Sequence, residues 1–143
     1  MTIKEQFITE ARTWIGTPYM RDAGVKRGGT NCSRFVLAVI EQVLKVDGSF
    51  LRAKPHPRLF QDSPEAVTRF LSSFCVLVEK EDLQTGDIVV VTLRGIPCQT
   101  AIYTGGENFI FVTRFSHVIE APLPPNLWKR VSHVFRARVF EEE

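Results

Sequence analysis

Residues 28–44, GGTNCSRFVLAVIEQVL, place two glycines and two capping residues, Thr30 and Asn31, ahead of a lone cysteine and an apolar run. Phe35, Val36, Val39, Ile40 and Val43 recur at three- and four-residue spacing, which predicts a helix with one buried face, capped by Asn31 or Thr30. Cys32 then falls in the first turn, where unpaired amides and the helix dipole favour a thiolate. A thiol nucleophile is commonly mounted this way. Taken alone, the position suits a small apolar residue packed beneath a helix better than a nucleophile, as with most free cysteines.

Upstream, Thr2 and Glu5 form a capping-box pattern, with the hydroxyl and the carboxylate each expected to satisfy an exposed amide. Ile3, Phe7, Ala11 and Trp14 continue it as an amphipathic helix. Gly16 and Pro18 end that helix, and the glycine-containing stretch 16–31 reads as a loop. Downstream, residues 45–62, with prolines at 55 and 57, read as an irregular excursion. Ser63 and Pro64 supply a cap and a first-turn proline for a short helix through Val67, Phe70, Leu71 and Phe74. From there the pattern changes to strands: FCVLV, IVVVTL, CQTAIY, FIFV, HVIEA and, after a proline break, RVSHVFRARVF. Helices followed by a strand meander predict an α+β protein with N-terminal helices packed on an antiparallel β-sheet. At 143 residues the chain suits one domain, 1–143, around a single core.

Composition narrows the function classes. A net charge of +2, with both signs interspersed, lacks the concentrated basic face of a nucleic-acid binder. No apolar run reaches the roughly 18 residues of a membrane span. The acids of MTIKEQFITEARTWIG argue against a signal peptide, so a cytoplasmic protein as synthesised is expected, with a phage particle or non-classical export as other destinations. The final EEE reads as a solvated tail. Cys32, Cys75 and Cys98 are too few and too widely spaced for a disulfide framework, and no histidine–acid pair has metal-ligand spacing. No metal or cofactor is expected.

Five words of the sequence, in order, resemble the NlpC/P60 family of papain-like cysteine peptidases, which mostly cleave peptidoglycan stem peptides. They are WIGTPY (14–19), GGTNCSRFV (28–36), LQTGDIVVV (83–91), QTAIYTGGENFIF (99–111) and VIEAPLPPNLWKRVSHVFRARV (118–139). Together they span nearly the whole chain. The opening ARTWIGTPY and the ending are most similar to the family's phage-tail branch, whose members are thought to help a tail breach the cell wall. The resemblance implies a papain-like fold with Cys32 at the nucleophile position. It also implies Tyr19 beside the oxyanion and Ser33 near the amino end of a bound peptide. A peptide or peptidoglycan fragment, or a protein partner, is the expected ligand.

The sequence departs from the family pattern where the chemistry resides. The family's general-base histidine falls at Gln99, and a neutral amide cannot take a proton from a thiol. The polar third residue, which orients that histidine, falls at Phe111. Asn31 replaces an aspartate able to pair with a substrate ammonium, and Arg34 replaces a small residue at the pocket rim. Among other histidines, His117 is the best substitute base, while His56 and His133 read as surface or strand-packing residues. These losses predict a catalytically degenerate domain acting as a binding or structural module. The alternative is an active cysteine hydrolase or acyl transferase using Cys32 with a non-standard base. In either case the Cys32 sulfur should point at the strand bearing Gln99, with Gln99 facing it and Cys98 turned away. A helix terminus contributes about 0.3–1 kcal/mol when exposed, which would lower the thiol pKa by less than one unit.

Overall fold

The computed structural model describes residues 1–21, 23–48, 64–114 and 116–143. Helix α1, Ile3–Arg12, starts at Thr2, whose hydroxyl oxygen accepts from the Glu5 amide at 3.1 Å. The Glu5 carboxylate does not return to an amide; it accepts from the Thr2 hydroxyl. The open α1 amides go instead to Glu143, whose carboxylate accepts from Ile3 at 2.8 and 3.0 Å and from Lys4 at 3.3 Å. The last glutamate is therefore a helix cap rather than part of a solvated tail. Phe7, Ala11 and Trp14 are buried, as their spacing predicts.

The stretch read as a loop contains a two-stranded ribbon, β1 (Gly24–Val25) with β2 (Gly29–Thr30). Bridges from Pro18 to His117 and from Tyr19 to Thr30 tie it down. Gly29 is required by close approach, since a Cβ there would sit 2.7 Å from that of Met20. Helix α2, Cys32–Val39, is capped by Asn31 and passes into a π-helical turn, Ile40–Leu44, ended by left-handed Lys45 at φ 59°. Helix α3, Pro64–Ser72, begins at the expected proline. Ser63, His56 and most of the excursion lie outside the described residues.

The strands are β3 (Cys75–Val78), β4 (Ile88–Leu93), β5 (Ile96–Gly105), β6 (Asn108–Phe111), β7 (Ile119–Pro122) and β8 (Val131–Ala137). One-turn helices α4 (Pro125–Trp128) and α5 (Arg138–Glu141) flank β8, which ends three residues before the expected Phe140. The six strands form one antiparallel sheet in the order β3-β8-β4-β5-β6-β7. An α+β architecture with N-terminal helices on an antiparallel sheet is what the sequence predicts.

The sheet separates two apolar clusters, where the length of the chain suggested a single core. On the helix side, Ile88, Val90, Ile102, Ile110 and Phe135 pack with Phe7, Phe35, Val39 and Phe70. On the other side Val89, Ala101, Phe109, Phe111 and Val134 pack with Leu123, Leu127 and Trp128. Strand alternation produces the split, because successive side chains point to opposite faces. Between β4 and β8 lies a buried ion pair. Arg136 donates through Nε and Nη2 to the two carboxylate oxygens of Asp87 at 2.9 Å each, and Nη2 also reaches the Asp82 carbonyl at 2.8 Å.

Candidate active site at the start of helix α2

Cys32 is the first residue of α2, and the geometry around it follows from the Asn31 cap. Asn31 Oδ1 accepts from the Arg34 amide at 2.9 Å and from the Ser33 hydroxyl at 3.0 Å, while Nδ2 donates to the Arg21 carbonyl at 2.6 Å. An aspartate would cap the helix equally well but has no donor for Arg21. The Asn31 amide thus ties loop to helix, and the Ser33 hydroxyl, a candidate for binding substrate, is engaged with it. The Arg34 stem lies under the ribbon, its Cβ 3.1 Å from where a Cβ would stand at Gly24. Tyr19 packs its ring against the helix-side core, and its backbone pairs with Thr30, two residues before the cysteine.

The sulfur of Cys32 points at β5, as expected, but not at Gln99. It lies 4.0 Å from the Cys98 carbonyl oxygen, and the Cys32 carbonyl accepts from the Thr100 hydroxyl at 3.0 Å. Burial pushes the Cys32 thiol up to about 11, against the opposing pull of hydrogen bonds from Thr100 and Ser33; negative charge on Cys98 would add to the rise. Cys32 keeps part of its surface in contact with solvent, and even so desolvation of the sulfur outweighs the helix terminus. The small downward shift expected from the helix end is overturned in sign.

The ladder explains why Gln99 is turned away. Val90 pairs with Thr100 and Ile88 with Ile102, and the three apolar members of these pairs belong to the helix-side core. Val89 pairs with Ala101 on the other side, and Val91 pairs with Gln99 in the same alternation. Gln99 therefore shares the face of Phe111, across the sheet from α2. Its amide donates to the Val112 carbonyl at 3.0 Å and the Thr100 carbonyl at 3.2 Å, joining β5 to the end of β6. Phe111 is buried in the second cluster.

The alternation used for Cys98 does not hold at this point of β5, for a local reason. Beyond Gln99 the register jumps, with Val91 opposite Gln99 but Thr92 opposite Pro97, so Cys98 is the extra residue of a bulge. It is exposed, and it lies close enough to Cys32 for the two thiols to influence each other electrostatically. Simple alternation cannot be applied across such a step. The Pro97 ring, which lacks an N–H, was the sequence signal for an irregular strand here.

His117 is exposed and pairs through its backbone with Pro18. His133 sits in β8 opposite Val90, and its ring stacks on Phe135, with centroids 5.8 Å apart and planes 4° from parallel. This places His133 on the helix side of the sheet, in the same row as Val90 and Thr100. Its Nδ1 is 2.7 Å from the Ser132 hydroxyl, which in turn donates to the Val90 carbonyl at 3.3 Å. Thr100 and this face of His133 are the features that sequence reasoning missed. Among the described residues no group of three His, Cys, Asp or Glu side chains could hold a metal ion, and no helix is long and apolar enough to cross a membrane.

No family sequence model matches the chain, and no curated protein sequence matches it. Solved structures do. An NlpC/P60 family protein from Bacillus cereus ATCC 10987 superposes with a TM-score of 0.71 at 22% identity, over 94% of this chain and 40% of that one. The NlpC/p60 domain of the peptidoglycan hydrolase SagA gives 0.65 at 21% identity, over 93% of this chain and 97% of the domain. RipD from Mycobacterium tuberculosis, described as a non-catalytic NlpC/p60 domain protein adapted to peptidoglycan binding, gives 0.63 at 16% identity, over 95% of this chain and 98% of its own. The helix that carries Cys32, packed on a six-stranded antiparallel sheet, is thus held in the NlpC/P60 fold.

Proposed function

We propose that the chain is a peptidoglycan- or peptide-binding module of NlpC/P60 fold that has lost cysteine-peptidase chemistry. One observation carries this reading: Gln99, which only the sequence resemblance matches to the family histidine, lies on the sheet face away from α2, spends its amide on the Val112 and Thr100 carbonyls and offers Cys32 no base. A thiol held at about 11 is almost wholly protonated at neutral pH, and acyl transfer needs both a thiolate and a proton donor for the leaving amine. RipD supports the reading, since it combines a similar fold with a non-catalytic, peptidoglycan-binding description. The sequence words of the opening and ending favour a phage-tail setting for the same module.

A second reading, a working thiol enzyme, is favoured by His133. If its Nδ1–H is donated to Ser132, Nε2 is left as a free proton acceptor on the helix side of the sheet. One experiment separates the two. The protein is incubated with insoluble peptidoglycan and with an L-Ala-γ-D-Glu-diamino acid stem peptide; co-sedimentation is measured and the soluble products are analysed by mass spectrometry. Binding without cleavage, unchanged by Cys32→Ala, is the expected result. Cleavage abolished by both Cys32→Ala and His133→Ala would establish the enzyme instead.

A further inference from the structure

Cys98 is the group near the site that neither reading of function uses. It is exposed, it is the extra residue of the β5 bulge, and its carbonyl oxygen is the atom against which the Cys32 thiol rests at 4.0 Å. A disulfide needs two cysteines whose Cα atoms lie within about 7 Å and whose side chains can meet. An atom of Cys98 itself already touches the Cys32 sulfur. The bulge adds freedom, because a residue left out of the ladder can shift without breaking a paired rung. Cys75, the third cysteine, is buried on β3 at 3% exposure, three strands away from β5.

We propose that Cys32 and Cys98 are a redox pair that closes to an intramolecular disulfide by exchange with a small disulfide such as oxidised glutathione. The exposed Cys98 thiolate attacks one glutathione sulfur, and the S–S bond breaks to release the first glutathione as a thiolate, which takes up a proton from water. The Cys32 thiolate then attacks the Cys98 sulfur of the mixed disulfide and expels the second glutathione. Two protein thiols are oxidised and one glutathione disulfide is reduced to two thiols, so atoms and electrons balance. The order follows from access. Burial raises both thiols, but Cys98 is more open and the positive charge of Arg130 opposes its rise. The product seals the family nucleophile position, so oxidation would deny Cys32 to any ligand that reaches the start of α2.

The test treats the native protein with oxidised glutathione, quenches with iodoacetamide and maps peptides without reduction. The expected product is a Cys32–Cys98 cross-link that has lost two hydrogen atoms and retains no glutathione. In Cys32→Ser the second step is blocked, so glutathione retained on Cys98 should rise at least about tenfold over the wild type, because only an internal thiol can resolve it rapidly. In Cys98→Ser no internal cross-link should form. The proposal is overturned if the wild type keeps glutathione on Cys98 with Cys32 free. Pairing of Cys32 with Cys75, a purely intermolecular product, or no reaction would overturn it equally.

Discussion

At the scale of single residues, Cys32 shows how an environment can reverse what a position suggests. The helix N-terminus favours a thiolate, but its effect is limited to about 1 kcal/mol at a surface, whereas desolvation carries the thiol from 9.0 to about 11. Below that value each pH unit gains about tenfold in thiolate. Peptide-resolved labelling of Cys32 by iodoacetamide should therefore climb steadily from about pH 7 to 10, with no fast plateau in acid. A plateau below about pH 6 would reveal a stabilised thiolate and an unrecognised base. Gln99 leads to a second prediction. Because the ladder turns this position away from α2, Gln99→His should give no stem-peptide cleavage. The variant should also lose about 1 kcal/mol in denaturant unfolding, as the amide link to the Val112 carbonyl is weakened. Turnover by this single variant would mean that the β5 face assignment is wrong.

At the scale of elements, the turn LQTGD illustrates what a motif does physically. Asp87 is fully buried; its Oδ2 accepts from the Gln84 amide at 2.8 Å, and both carboxylate oxygens are held by Arg136. The 3₁₀ turn Lys80–Asp82, the start of β4 and the end of β8 are thereby locked together. Removing Asp87 leaves the buried Arg136 guanidinium with only its longer 3.5 Å contact to exposed Glu141 as an ionic partner, so Asp87→Ala should cost about 3 kcal/mol in chemical denaturation. The Arg12–Glu120 pair is the internal comparison. It has similar geometry, with Nη2 to Oε2 at 2.9 Å, but the arginine side chain is 50% exposed. Glu120→Gln should cost no more than about 1 kcal/mol. Equal losses at the two sites would show that burial is not what gives the Asp87 pair its weight.

At the scale of the whole molecule, the two ends of the chain meet. Glu143 accepts from the first amides of α1 across 140 residues of sequence, and Phe140 of α5 packs edge-on against Phe7 at 5.5 Å between centroids. Glu143→Ala should lower stability by about 0.5–1 kcal/mol, the usual range for a cap, with the unfolding midpoint in urea as the measure. No change would make the contact incidental. Local pattern was enough to place α1, α2, α3 and every strand of the sheet, because hydrophobic periodicity and capping residues are contained within each segment. The Cys32 helix start, the Asn31 cap and the Pro64 entry were legible for that reason. So was the lack of an imidazole at Gln99 itself, since a residue's identity is read directly from the sequence. The face that Gln99 and Cys98 present, the second apolar cluster, the role of Glu143 and the raised thiol pKa depend on partners far along the chain. Register across β4, β5 and β8, with one bulge between Val91 and Thr92 and another between Val90 and Val91, decides them. A one-residue slip exchanges the two faces of a strand, and no local pattern encodes that slip.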